Sequence, residues 1–413
     1  GTYVPIPGMD AAAVAELTQQ HGEGLFGIFD RFSGGALGRM SIFALGVVPY
    51  ISASIIMQLL TVVSPQLAAI KKEGASGHKK INQYTRYLTV FIGAIQAFLL
   101  AVGLENLAGP AGEVVAMKGF FFEINATVTV VGGTLMSMWL GEQITSRGVG
   151  NGISLLIFSG IVANLFPAIV TTLEMGRKSV LSPLLIFGVL ILIIGLIAFI
   201  VFMERAQRRI PIQYPKRQIG KKMYAGQTSH LPLRLNSAGV IPPIFAFSLL
   251  SLPGSIATFA ATRENAEGIL STLAAYLAHG KPLYTILLVA LISFFAFFYT
   301  AIIFNPQETA ENLKKGGGFI PGRRPGSHTA EYLDYVLTRL TVFGAIYLSF
   351  ICIAPEFLIS KFSFPFYLGG TSLLIVVGVG MDTVSQIQSH LLSHQYENLL
   401  SKSRLGNRKG KGK

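Results

Sequence analysis

Charge is scarce in this sequence. Only 13% of its 413 residues are Asp, Glu, Lys or Arg, against the roughly 25% with which a soluble domain covers its surface. Acids are scarcer still, 20 against 33 Lys and Arg, which leaves a formal net charge of +13. Cysteine is reduced to one residue, Cys352, inside an apolar run, so an internal disulfide and a cysteine-built metal cluster are both excluded. No Walker loop, no HExxH and no histidine pair at metal spacing occurs, so no catalytic residue, metal site or cofactor is expected. The acids beside the apolar runs, Glu123, Glu142 and Asp382, lie toward their ends. They form no mid-membrane carboxylate relay of the kind that proton pumps and ion-coupled carriers use.

What is abundant is apolar sequence, 51% of the chain. Nine stretches read as membrane spans: 40–63, 84–103, 119–140, 153–171, 183–203, 238–260, 282–304, 335–353 and 367–387. Each is about 20 residues, enough helix to cross ~30 Å of hydrocarbon. They are continuous and do not alternate with period two, which argues against a β-barrel. The stretch 268–279 is too short to cross and reads as an interfacial piece. About three-quarters of the Lys and Arg fall in one alternate set of segments, which places the C-terminus and loops 64–83, 204–235 and 305–334 in the cytoplasm. Nine spans then put the N-terminus outside. The chain opens at Gly1-Thr2-Tyr3-Val4-Pro5 without a signal peptide, and one further span is expected to precede it.

Several spans carry groups that lipid does not tolerate. The first holds Gly46, Pro49, Ser52, Ser54 and Gln58, and the sixth opens at Asn236 and contains Pro242-Pro243, expected to kink it. Interrupted helices are tolerated where the freed groups face protein or water; ordinary packing through small residues is the competing explanation. Ahead of the first span, Phe26, Phe29 and Phe32 recur at i, i+3, i+6, followed by Gly34-Gly35. That pattern gives a short external helix with one apolar face and a flexible joint. Gly22, Gly24 and Gly27 match a dinucleotide fingerprint by letters only, with no preceding strand. Loop 204–235 has eight basic residues against one acid, Glu204, and loop 305–334 carries Gly316-Gly317-Gly318 and the pair Arg323-Arg324. Such loops obey the inside rule, and their size and charge also suit docking to an anionic partner such as RNA or an acidic groove.

Longer motifs carry a resemblance. Gly34-Gly35-Ala36-Leu37, Ser41-Ile42-Phe43-Ala44-Leu45-Gly46 and Pro49-Tyr50-Ile51-Ser52-Ala53-Ser54 resemble the plug and following span of the bacterial SecY protein-translocation channels. So do Trp139-Leu140-Gly141-Glu142-Gln143, Gly148-Val149-Gly150-Asn151-Gly152-Ile153-Ser154, Glu204-Arg205-Ala206-Gln207-Arg208-Arg209, Asn305-Pro306-Gln307-Glu308 and Pro365-Phe366-Tyr367-Leu368-Gly369-Gly370. They follow the family's order over essentially the whole chain.

The resemblance implies an all-α polytopic membrane protein: two inverted-repeat halves around an hourglass pore, with nine of ten spans present. The halves would be 1–171 and 172–387, followed by a basic tail over 388–413. It further implies a pore ring of Val47, Ile51, Ile153, Ile157, Ile244 and Ile375, and a plug over 25–39 that includes Phe26, Phe29, Phe32, Gly34 and Gly35. A lateral gate with Gln58, Thr85 and Asn236 is implied, as is a motor or ribosome contact at Arg208, Arg209, Lys216, Arg217, Arg323 and Arg324. The implied partners are SecE, SecG, the SecA ATPase, the ribosome, signal peptides and nascent polypeptides, and the lipid bilayer. The implied place is the bacterial cytoplasmic membrane, and the implied function is protein conduction without catalysis. A secondary solute carrier, which also uses inverted repeats and broken helices, is the other class considered. The missing mid-membrane carboxylate and the large basic loops weigh against it.

Overall fold

The computed structural model describes residues 2–9, 35–105, 108–109, 112–113, 115, 118–178, 182–214, 217–219, 222–224, 228–250, 281–362 and 370–409. In chain order the helices are α1 (Val48–Val63), α2 (Pro65–Lys72), α3 (Ala75–Glu105), α4 (Phe120–Arg147), α5 (Gly152–Arg177), α6 (Pro183–Arg205), α7 (Ile241–Leu250), α8 (Pro282–Ile303), α9 (Pro306–Lys315), α10 (Ser327–Phe362) and α11 (Gly370–Lys409). The strands, all in antiparallel pairs, are β1 (Ala108–Gly109) with β2 (Gly112–Glu113), β3 (Gln207–Gln213) with β6 (Thr228–Arg234), and β4 (Arg217–Ile219) with β5 (Lys222–Tyr224). Among the described residues seven helices are long and apolar enough to cross a membrane, or eight if α1 and α2, bent by 99°, form one broken span.

The bend falls at Ser64-Pro65, where Pro65 cannot donate into α1 and instead starts α2. The first expected span begins at 40, but its helix begins only at Val48. Residues 40–47 run as linked turns, because Met40 (φ 42°) and Gly46 (φ 52°) adopt left-handed backbone that no α-helix accepts. The segment is held in place by the N-terminal residues: Ile6 N–H donates to Met40 O at 2.9 Å and Ile42 N–H to Val4 O at 3.0 Å. Pro242-Pro243 does not kink the sixth span. The pair lies in the first turn of α7, where the missing N–H groups would have had no helical partner. The stretches 251–260 and 268–279 lie outside the described residues.

Asparagines start two of the helices that follow glycine- or proline-rich motifs. Asn151 Oδ1 accepts from Ile153 and Ser154 N–H at 3.1 and 3.4 Å at the head of α5, and Asn305 Oδ1 does the same for Gln307 and Glu308 at the head of α9. Helix α5 continues past residue 171 to Arg177, so the expected boundary between halves falls inside a helix. That helix ends at Arg177, and the next described helix, α6, starts at Pro183. Around the outside, α6 leaves Leu184, Phe187, Ile191 and Phe202 exposed, a surface compatible with lipid and not with water.

Loop 204–235 is the largest departure from expectation. Its strands β3 and β6 pair from Gln207–Arg234 to Gln213–Thr228, and Gln213 pairs again with Phe319 of the second basic loop through two hydrogen bonds of 2.9 and 3.0 Å. Ile210, Leu233 and Ile320 bury against Leu333, Val336 and Leu340 of α10. The two basic loops are therefore one folded unit seated on the start of α10.

Backbone packing is close where Gly133 of α4 meets the carbonyl of Ile42: a Cβ at 133 would overlap that oxygen, whereas a Cβ at Gly132 meets nothing within 4 Å. Gly133→Ala is expected to cost about 1–3 kcal/mol by forcing the 40–47 turns off α4. Gly132→Ala is expected to hold or gain about 0.5–1 kcal/mol from helix propensity. Thermal unfolding of the two variants in detergent checks the contrast.

Candidate functional site

The most extensive buried cluster is built from branched aliphatic side chains that arrive from several helices. Val47 and Ile51 come from the head of α1, Ile157 from α5, Ile244 from α7 and Ile375 from α11, and all five are buried in it, with Ile153 half-buried against them. The structure thus brings the six expected ring residues into one contiguous apolar cluster. Helical spacing explains the arrangement, since residues four apart share a face. The same spacing extends both stripes one turn further, to Ile55 on α1 and Ile161 on α5. These two were absent from the expected set, although the continuing i, i+4 pattern pointed to them. Leu374, flanking Ile375, is also fully buried.

The loop between α4 and α5 positions Ile153. Gly152 packs so tightly on the Gly141 carbonyl that a side chain there would overlap it, and Gly152 N–H donates to Thr145 Oγ1 at 2.8 Å. Gly150 (φ 89°) donates its N–H to Gln386 Oε1 of α11 at 2.9 Å. The glycine-rich motif 148–154 therefore joins α5 to α11 next to the cluster.

One hydrogen bond crosses the cluster's rim between distant parts of the chain. Ser52 Oγ of α1 and Ser248 Oγ of α7 lie 2.6 Å apart, both side chains buried. The expected gate residues are arranged differently. Gln58 Nε2 donates to Ser54 Oγ at 3.4 Å, Thr85 Oγ1 donates to Ile81 O at 3.0 Å, and Asn236 Nδ2 donates to Glu204 Oε1 at 2.7 Å and Gly239 O at 3.0 Å. No hydrogen bond joins these three to one another: Gln58 and Thr85 bond within their own helices, whereas Asn236 bonds its own turn and Glu204 of α6. Sequence reasoning noticed Ser52 as a polar residue but gave it no partner, and nothing local links positions 196 residues apart.

Of the expected plug residues, Phe26, Phe29, Phe32 and Gly34 lie outside the described residues. Gly35 (φ 79°) is buried beside α5, where a Cβ would come within 3.3 Å of Asn164 Oδ1. Directly after it, Ala36 and Leu37 are buried, so the chain is anchored from residue 36 onward.

The basic unit presents its arginines outward. Arg208 and Arg209 are exposed on β3, and Arg323 and Arg324 are exposed on the second loop. The Arg323 guanidinium lies over the Tyr332 ring, 5.1 Å from its centroid, and Arg324 O accepts from Thr329 Oγ1 at 2.9 Å. Arg217 contributes backbone to β4, and Lys216 lies outside the described residues. Because β3 pairs with the second loop at Phe319, the four exposed arginines belong to a single structural element.

Comparison with known proteins agrees across its separate forms. A family model described as SecY matches residues 41–384. The protein translocase subunit SecY of Rickettsia conorii is 52% identical over 407 residues, covering 98% of this chain and 93% of the relative. In fold, the chain is similar to a solved protein-conducting channel at TM-score 0.65 and 18% identity, over 93% of this chain and 91% of that one. It is also similar to Sec61 in the canine ribosome–channel complex from the endoplasmic reticulum, at TM-score 0.62 and 18% identity, over 93% and 91%.

A Ser52→Cys, Ser248→Cys pair is expected to form a disulfide within minutes of mild oxidation, since the two oxygens already touch. After cleavage within 205–235, the halves then stay joined on a non-reducing gel. Halves that separate without reductant contradict the contact.

Proposed function

The chain belongs to the SecY family, and from that premise we propose how its parts conduct a polypeptide. It is a membrane channel for proteins and not an enzyme. The reading assigns the pore seal to Val47, Ile51, Ile153, Ile157, Ile244 and Ile375. Its main support is that these residues share one aliphatic cluster fed by α1, α5, α7 and α11. Branched alkyl side chains offer water and ions no hydrogen bond, so a constriction lined by them closes by dewetting. They also have no fixed partner to lose, and part around an extended chain with little penalty beyond their own contacts.

The lateral gate runs along the contact of α1 with α7. Its polar stitch is Ser52–Ser248, with Gln58, Thr85 and Asn236 flanking it. A hydrogen bond between neutral groups is worth about 0.5–1.5 kcal/mol, and an apolar segment gains about 0.8 kcal/mol for each CH₂ it moves into lipid. A signal peptide of ordinary length therefore outweighs the stitch, and sorting into the bilayer proceeds without a catalytic group. The plug is segment 25–39, whose described part includes the buried Ala36 and Leu37.

The folded basic unit, with Arg208, Arg209, Arg323 and Arg324 exposed, is the docking surface for the ribosome or for the SecA motor, and Lys216 and Arg217 extend it. SecE and SecG are the companion subunits. The excess of Lys and Arg in the loops of that side supports a cytoplasmic position for it and for the C-terminus, in the bacterial inner membrane. The two halves, divided between α5, which ends at Arg177, and α6, which starts at Pro183, move against each other.

Replacing Ile51 and Ile157 together with Gly opens the seal and is expected to raise resting ion conductance of reconstituted channels by at least about tenfold. Polypeptide export should continue. Conductance equal to the unmodified channel contradicts the assignment of the seal.

A further inference from the structure

Glu204 is an acid at the end of an apolar helix, half-buried, and nothing in the conduction scheme uses it. Its Oε1 accepts from Asn236 Nδ2 at 2.7 Å, and the same nitrogen donates to Gly239 O at 3.0 Å. Asn236 is only 4% exposed, so the donor of both bonds is buried. Gly239 adopts φ 64°, and α7 begins two residues later. The side chains that follow are Ile244, in the aliphatic cluster, and Ser248, bonded to Ser52. On its third side the turn presses on Gly344 of α10, where a Cβ would lie 3.2 Å from Leu235 O and 4.0 Å from Asn236 Oδ1. One carboxylate on α6 therefore fixes, through one amide, the turn that aims α7 at both the seal and the seam.

We propose that Glu204 is a positioning residue for the lateral gate: by holding Asn236 it keeps α7 against α1 and so sets how apolar a signal peptide must be to part them. The bond ties the turn before α7 to α6, as the Ser52–Ser248 bond ties α7 itself to α1. The inference rests on the channel reading above.

The test uses the full channel with its companion subunits in liposomes, and a series of secretory substrates whose signal peptides have progressively shortened apolar cores. Glu204→Ala removes the acceptor and is expected to raise export of the weakest signals about tenfold relative to the strongest. Glu204→Gln keeps an acceptor oxygen in place and is expected to retain the unmodified threshold. An unchanged threshold in Glu204→Ala, or Glu204→Gln behaving like Glu204→Ala, overturns the inference while leaving the channel reading standing. Failure of the unmodified channel to carry any polypeptide overturns the channel reading itself. A variant that merely folds poorly lowers export of strong and weak signals alike, and that result also counts against a positioning role.

Discussion

Branched aliphatic side chains meeting at the middle of the fold impose the constraint to which its other features answer. A constriction that opens for a chain is poorly closed by salt bridges or hydrogen bonds, because each leaves buried unsatisfied groups once parted. Valine and isoleucine avoid that penalty. Bringing Val47, Ile51, Ile157, Ile244 and Ile375 together requires helix ends, not helix middles, to converge. That accounts for the late start of α1 after the turns at 40–47, the short α7 and the glycine-tight link from α4 to α5. Strength comes instead from polar contacts at the periphery of the cluster: Ser52 with Ser248, Gly150 with Gln386, and Glu204 with Asn236.

The basic unit follows a different physics. Its small core of Ile210, Leu233 and Ile320 on Leu333, Val336 and Leu340 turns two loops into a rigid body rooted on α10 and on the end of α6. The same unit ends at Arg234, two residues before Asn236, so the basic unit and the turn that leads into α7 are neighbours in sequence.

Much of this was legible in the residues. Long apolar runs located the crossing helices but not their ends, since the helices run on beyond the apolar stretch: α3 starts at Ala75 against 84, α10 covers Ser327–Phe362 against 335–353, and α11 continues to Lys409 against 387. The i, i+4 spacing paired Val47 with Ile51 and Ile153 with Ile157, although the ring as a set came from family resemblance and not from spacing. The first span was misjudged because hydropathy does not register a left-handed Met40. Pro242-Pro243 was read as a kink because its position relative to the helix start is not visible in composition. The β3–β6 hairpin was hidden by prolines at 211 and 232 and by basic residues that mask its apolar alternation. Contacts such as Ser52–Ser248 depend on tertiary placement, and no local pattern announces them.

The account stands on the aliphatic cluster being the path of the translocating chain. The most direct measurement places a photoreactive side chain in turn at Ile51, Ile157, Ile244 and Ile375 of the full channel while a secretory polypeptide is arrested in transit. The account predicts that all four positions crosslink to the arrested polypeptide. Crosslinks to lipid from these positions, with none to the polypeptide, would contradict it.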